Sequence, residues 1–231
     1  MARKNKLKKF ADILSFPNVY ECYNVQQPTL TGAGMVEVAL QGRWGADHFK
    51  NDHPITLELA CGGGEYAVAL ARRFPQRNFI GVDIKGNRLW KGAKEALEAG
   101  LPNVAFLRTR IEVLPCFFAA NEVAEIWITF PDPFPKDSKE NRRLTSPNFL
   151  QRYRQFLQPG GLLHLKHDDP DFFQYTLRVI ADDPKCRLLY ANADIYAGAP
   201  DFPEWDIKTL YEMKHLAEGK TIKYARFQIG L

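Results

Sequence analysis

Apolar positions along the chain fall into short runs that alternate with stretches of helical spacing. Ile55–Ala60 reads as a buried strand. Glu65–Arg73 places Tyr66, Ala69 and Leu70 on one helical face and is stopped by Pro75. Asn78–Asp83 reads as a second strand ending in an acid, and Arg88–Ala99 as a helix closed by Gly100 and Pro102. Val104–Arg108 and Glu125–Thr129 are the third and fourth strands. Pro147–Leu157 is a helix, with Ser146 at its N-cap and Pro147 at its first position. Pro159-Gly160-Gly161 turns into a fifth strand, Leu162–His167, and a helix over Asp171–Ala181 follows, with Asp169 placed to cap it. Arg187–Tyr190 is the sixth strand, a short helix falls near Tyr211–Ala217, and Thr221–Ile229 alternates as the last strand.

Repeated strand–helix units predict an α/β fold with a doubly wound, mostly parallel seven-stranded sheet. The last two strands are joined by an insertion instead of a crossover helix. The final strand is therefore expected to run antiparallel, which separates this fold from a plain dinucleotide-binding one. Residues 1–54 lack clear periodicity and are expected to form an extension packed on a main domain of residues 55–231. The basic run Met1–Lys9 is read as a mobile arm, more often simply solvated in such cases but able to add phosphate contacts.

At 231 residues the chain has room for one sizeable α/β domain with small additions. No apolar run approaches the ~18 residues of a membrane span, and no signal-peptide core follows the basic start. A cytoplasmic protein without a membrane partner is expected. A net charge of +4 is only mildly basic, so the clustering of charge matters more than its sum. The four cysteines are scattered without metal-ligand spacing; reduced thiols and no metal site are expected. Oligomeric state, monomer or homodimer, is left open.

Two segments carry the chemistry. In Leu57-Glu58-Leu59-Ala60-Cys61-Gly62-Gly63-Gly64 a strand runs into a glycine turn. Glycines there let backbone approach a ligand closely, but the GxGxxG spacing that cradles a pyrophosphate is absent. Glu58 would repel a diphosphate and suits a cofactor with a cationic or amine-bearing end, such as the aminoacyl group of S-adenosylmethionine. Asp83, at the end of the next strand, is placed to accept from ribose hydroxyls. Glu58, Gly62, Gly64 and Asp83 are therefore the cofactor candidates, against the plain alternative of a tight structural turn.

The second segment is Thr129-Phe130-Pro131-Asp132-Pro133-Phe134-Pro135-Lys136. Three prolines fix φ and bias their predecessors towards extended geometry, so the loop is stiff before any ligand arrives. Asp132 is the candidate catalytic group. Phe134 reads equally as a stacking surface and as packing beneath the loop. Lys136, Lys139, Arg142 and Arg143 follow within eight residues, and phosphate contact is the favoured reading of that run over a solvated face.

Phe130–Lys136, followed by Asn141-Arg142-Arg143-Leu144-Thr145, closely resembles the signature of the bacterial tRNA (guanine-N7-)-methyltransferase family. Leu57–Gly64, His164–Asp168 and Thr209-Leu210-Tyr211-Glu212 agree with it in order and spacing, so the resemblance spans roughly residues 55–230. It implies a Rossmann-like class I methyltransferase fold, S-adenosylmethionine as cofactor, and tRNA as partner, methylated at guanosine 46 of the variable loop. It also implies that Glu58, Asp83 and Asp132 contact cofactor, that Asp132 is the active-site acid, and that Lys136, Asp168, Thr209, Tyr211 and Glu212 hold substrate. Taken from the residues alone, Asp168 reads as a helix cap and Thr209 with Glu212 as a capping box. The chain departs from the pattern at three places. Ala60 stands for a glycine. Thr109 and Arg110 stand where an acid near the adenine is expected, so Thr109 is assigned to the cofactor and adenine recognition to backbone groups. His167 stands for a threonine. Two rival readings are an RNA exocyclic-amine methyltransferase and a non-catalytic RNA-binding protein that keeps the fold.

Overall fold

The computed structural model describes residues 2–198, 200 and 202–230, with side chains from residue 6. The chain divides into two compact units, residues 1–119 and 120–231.

In the first unit the strand–helix alternation builds β4 (Ile55–Leu59), α2 (Glu65–Arg73), β5 (Asn78–Asp83), α3 (Gly86–Glu98) and β6 (Val104–Arg108). The three strands run parallel in the order β6-β5-β4. Each is buried along its length because helices cover it, which is why these segments read as nearly continuous apolar runs.

Residues 1–54 are more structured than the sequence suggested. The basic start forms a helix, α1 (Ala2–Ile13), in place of the expected mobile arm. Met1 and the side chains of residues 2–5 lie outside the described residues. The helix is anchored at its end by Ile13, 1% exposed, by Trp90 Nε1 donating to Asp12 Oδ2 at 2.9 Å, and by Lys9 Nζ lying 4.6 Å from the Trp90 ring centre. Three short strands follow: β1 (Val19–Glu21), β2 (Leu30–Thr31) and β3 (Glu37–Val38). β1 adds parallel to β6, and the other two extend the edge antiparallel. Trp44, fully buried, donates its indole N–H to the Phe117 carbonyl at 2.8 Å and stacks on Phe118.

The second unit contains β7 (Val123–Thr129), α4 (Pro147–Tyr153), β8 (Leu157–His167), α5 (Pro170–Asp182), β9 (Cys186–Asn192), α6 (Leu210–Ala217) and β10 (Lys223–Ile229), with strand order β7-β8-β10-β9. β7 and β8 are parallel, and β10 runs antiparallel to both its neighbours. The expected antiparallel last strand is therefore present. Asp169 caps α5, accepting from Phe172 N–H at 2.7 Å. The core is built on Ile126, Trp127, Leu163, Leu165, Tyr224 and Phe227.

Ten strands form among the described residues against seven expected. The additional three are β1–β3, two or three residues each, too short to leave a period in the sequence. No helix among the described residues is long and apolar enough to cross a membrane.

Candidate functional site

The cofactor candidates Glu58, Gly62, Gly64, Asp83 and Thr109 all belong to the first unit, around the carboxyl ends of β4, β5 and β6. Glu58 is buried, and its Oε2 accepts from Ala67 N–H at 2.9 Å, tying the strand to the first turn of α2. Asp83 accepts Gly62 N–H on Oδ2 at 2.9 Å and Lys85 N–H on Oδ1 at 2.7 Å. Each of its oxygens keeps a second lone pair for a ligand hydroxyl. These carboxylates shape the glycine turn as well as facing it. Burial, with Glu58 and Asp83 nearby, pushes the Cys61 thiol well up, so it stays protonated.

The glycines divide by role. At Gly62 the backbone has φ +57°, and a Cβ there would meet nothing within 4 Å, so the turn opens towards free space. At Gly64, φ is +71° and a Cβ would lie 2.4 Å from Phe106 Cε1, so glycine is required there by packing. Ala60, at φ +57°, holds the left-handed geometry that a glycine would adopt without strain. Thr109 is 3% exposed; its N–H donates to the Asp83 carbonyl at 3.2 Å, and its Oγ1 is buried without a hydrogen-bond partner among the described residues. A buried hydroxyl without a partner beside an open glycine turn and a ribose-type acid fits an adenosine cofactor. Arg110, in place of an acid, pairs at the surface with Glu112 at 3.1 Å.

The remaining candidates, Asp132, Lys136, Arg142, Arg143, Asp168, Thr209, Tyr211 and Glu212, belong to the second unit. The proline loop leaves β7 with Phe130 N–H donating to the Lys166 carbonyl at 3.0 Å. Phe130 (φ +50°) and Phe134 (φ +44°) both adopt the left-handed region, a strained conformation for aromatic residues. Asp132 is exposed, and its Oδ1 accepts from Phe134 N–H at 3.1 Å. Lys136 and Arg142 are exposed, and the Arg142 guanidinium lies 4.5 Å from the Phe134 ring centre.

Arg143 is placed otherwise than expected. It is 6% exposed, and it turns inward. Its Nε donates to the Pro133 carbonyl at 3.1 Å, its Nη2 to the Phe134 carbonyl at 3.1 Å, and its guanidinium stacks 4.3 Å from Tyr175. It holds the loop from beneath instead of presenting charge to a phosphate.

Asp168 pairs with Lys220 Nζ at 3.0 Å, and two imidazole nitrogens lie near it, His215 Nδ1 at 3.1 Å and His167 Nδ1 at 3.6 Å. Burial raises its pKa, but the hydrogen bond and charge of Lys220 work against that, and the carboxyl is held below the usual range. Thr209 and Glu212 form the capping box of α6: Thr209 Oγ1 accepts from Glu212 N–H at 3.1 Å, and Glu212 Oε2 from Thr209 N–H at 3.3 Å. The other carboxylate oxygen of Glu212 takes Lys166 Nζ at 2.6 Å and Tyr196 O–H at 2.5 Å, with both ionic side chains fully buried. Lys166 also donates to the carbonyls of Trp205 and Ile207. Glu212 is thus occupied internally, while its neighbour Tyr211 stands 55% exposed beside Leu210 and Met213.

Sequence reasoning missed Lys166, Tyr196 and His215. A lysine inside an apolar strand was the available signal, because such a residue is rarely buried without a partner.

A sequence family described as "Putative methyltransferase" matches residues 52–225. Among solved structures, the 16S rRNA methyltransferase KamB superposes with a TM-score of 0.62 at 17% identity, covering 81% of this chain and 93% of that one. A 16S rRNA (adenine(1408)-N(1))-methyltransferase from Catenulisporales acidiphilia, solved with its cosubstrate, gives 0.57 at 16% identity over 85% and 95% of the two chains. At these identities the likeness establishes the fold, that of class I methyltransferases. The tRNA (guanine-N(7)-)-methyltransferase of Christiangramia forsetii is 48% identical over 99% of this chain and 100% of its own length. That of Bacteroides thetaiotaomicron is 47% identical over 98% and 86%. With half its residues shared along almost the whole length, the chain belongs to the tRNA (guanine-N(7)-)-methyltransferase family.

Proposed function

We propose that the protein transfers a methyl group from S-adenosylmethionine to N7 of a guanosine in tRNA, at position 46 of the variable loop, in the cytoplasm. The reaction class rests on the full-length identity to the named relatives. The observation that carries the residue roles is the strained, clamped loop that presents Asp132 outward.

S-adenosylmethionine, when bound, supplies an electrophilic methyl group on a sulfonium. Glu58, Asp83, Gly62 and Thr109 would hold it: an acid for its amine end, an acid for the ribose, an open glycine turn, and a free hydroxyl at the third strand's end. Guanine N7 carries a lone pair and no proton, so the protein needs no general base for the transfer. Its contribution is positioning and electrostatics. The guanine ring gains positive charge as its N7 is alkylated. A carboxylate about 4 Å away stabilises that charge by roughly 4 kcal/mol at an effective dielectric near 20, an upper figure for an exposed group. Asp132 also accepts from guanine N1–H and N2–H, which fixes the base in the loop.

Lys136 and Arg142 supply phosphate contacts, and Tyr211 an exposed ring on which a base stacks. Thr209, Glu212 and Lys166 act behind it by fixing the start of α6, and Asp168 acts through its ion pair with Lys220.

The test is transfer of labelled methyl to unmodified tRNA transcripts, with the product mapped by mild reduction and aniline cleavage. Cleavage at the variable-loop guanosine is expected, and a transcript carrying adenosine there should take no label. Label without cleavage would replace this reading by exocyclic-amine methylation. Asp132→Asn should lower kcat by about 100-fold, with cofactor affinity within twofold; unchanged turnover would remove Asp132 from the mechanism.

A further inference from the structure

His167 ends β8 and is 3% exposed. Its Nε2 lies 2.9 Å from the Pro131 carbonyl oxygen, and its Nδ1 lies 2.8 Å from Asp169 N. A carbonyl only accepts, so Nε2 carries the proton. A backbone N–H only donates, so Nδ1 is bare. The two contacts together fix one neutral tautomer. Burial works in the same direction, lowering the pKa of the ring against the opposing Pro131 bond and the nearby Asp168 and Asp169 charges. The ring is also held in place by its neighbours. Phe172 meets it edge-on at 5.1 Å and Phe130 stacks at 5.9 Å.

The contact at Pro131 has a direct consequence for Asp132. The Pro131 carbonyl and the Asp132 nitrogen and Cα share one peptide plane. Holding that oxygen therefore sets the orientation of the Asp132 backbone from its amino side. Arg143 holds the carbonyls of Pro133 and Phe134 on the carboxyl side. The two phenylalanines at 130 and 134 are held in the left-handed region, a strained conformation for aromatic residues, so an unheld loop would relax away from this shape.

We infer that His167 is a positioning residue for the methyl transfer: it bridges Asp169 N–H and the Pro131 carbonyl, and so sets the direction of the Asp132 carboxylate. The role in transfer rests on the assignment of Asp132 made above; the bridge itself does not.

The two halves of the bridge are separable by substitution. In His167→Gln the amide nitrogen reaches the position of Nε2 and keeps the bond to Pro131. In His167→Asn the amide oxygen takes the place of Nδ1 and keeps the Asp169 bond, but no donor reaches Pro131. Four quantities are measured for each: the single-turnover methylation rate, the Kd for tRNA and for S-adenosylmethionine, the melting temperature, and hydrogen exchange of the 130–137 backbone without ligands. His167→Asn is expected to lose at least about tenfold in rate with both Kd values within twofold, and to exchange faster across the loop. His167→Gln is expected to stay within about threefold of the parent rate and to keep the loop protected. A His167→Asn protein with the parent's rate and protection overturns the inference. So does an equal loss in both variants that tracks melting temperature, because that is a general structural role. Faster exchange with an unchanged rate leaves the bridge standing but overturns its role in the transfer; a full loss in Asp132→Asn beside it would show that Asp132 acts without that bridge.

Discussion

Replacing Glu212 by glutamine tests whether this residue serves substrate or the fold. In the structure its carboxylate is 2.6 Å from Lys166 Nζ, and neither side chain has any exposure. Breaking a buried pair by neutralising one partner costs about 3–5 kcal/mol, since the remaining charge is left in low dielectric without compensation. The neutral partners of Lys166 include the carbonyls of Trp205 and Ile207 and the more distant Tyr196 hydroxyl, none of which replaces the carboxylate charge. For a chain of this size 3–5 kcal/mol corresponds to a fall in melting temperature of roughly 6–20 °C. The sign with pH follows from Lys166. Burial holds its pKa below the ordinary lysine value, the Glu212 charge opposing, so the unfolded chain binds more protons than the folded one. Stability therefore rises with pH from the depressed folded value up to the unfolded value near 10.5. Removing Glu212 depresses the folded value further and widens that window, so the deficit of Glu212→Gln should shrink as pH rises. The assay is urea unfolding of parent and variant at several pH values, beside tRNA binding. A variant as stable as the parent that binds tRNA much more weakly would refute the reasoning and make Glu212 a substrate ligand. The double change Lys166→Met with Glu212→Leu should recover most of the loss, because it removes both buried charges.

Gly64→Ala combines a left-handed backbone with a Cβ 2.4 Å from Phe106, so unfolding in urea should show a loss of about 2–5 kcal/mol. Gly62→Ala has the strain without the clash and should lose only about 1–2 kcal/mol, while calorimetry shows weaker cofactor binding. Arg143→Lys loses the forked donation to Pro133 and Phe134 and should lower kcat with tRNA affinity within about twofold; a matching loss of affinity would return Arg143 to the phosphate contacts. Lys136→Ala and Arg142→Ala should each reduce the slope of log affinity for tRNA against log salt by about one, and a flat salt response in the parent would count against an electrostatic grip on the backbone.

The parallel strands of the first unit and the antiparallel last strand of the second were legible in the sequence because each is a local pattern: an apolar run of strand length, a helix-period segment, a capping residue or a proline stop. Asp132 between prolines and Glu58 before a glycine turn were legible for the same reason, since the chemistry and the backbone geometry are written in adjacent residues. β1–β3 and the docking of α1 were not, because two or three residues carry no period and their stability comes from β6 and from Trp90, distant in sequence. The division of labour within the motifs was also decided only in three dimensions. Arg142 and Arg143 are neighbours of identical chemistry, yet one is at the surface and the other is buried on loop carbonyls. Gly62 and Gly64 share a turn, yet one faces open space and the other Phe106. Thr209 and Glu212 match a substrate motif and a capping box equally well until Lys166 is placed against them. Sequence states which groups are available locally; burial and pairing are set by residues tens of positions away, and those determine whether a charge is free for a ligand or already taken by the fold.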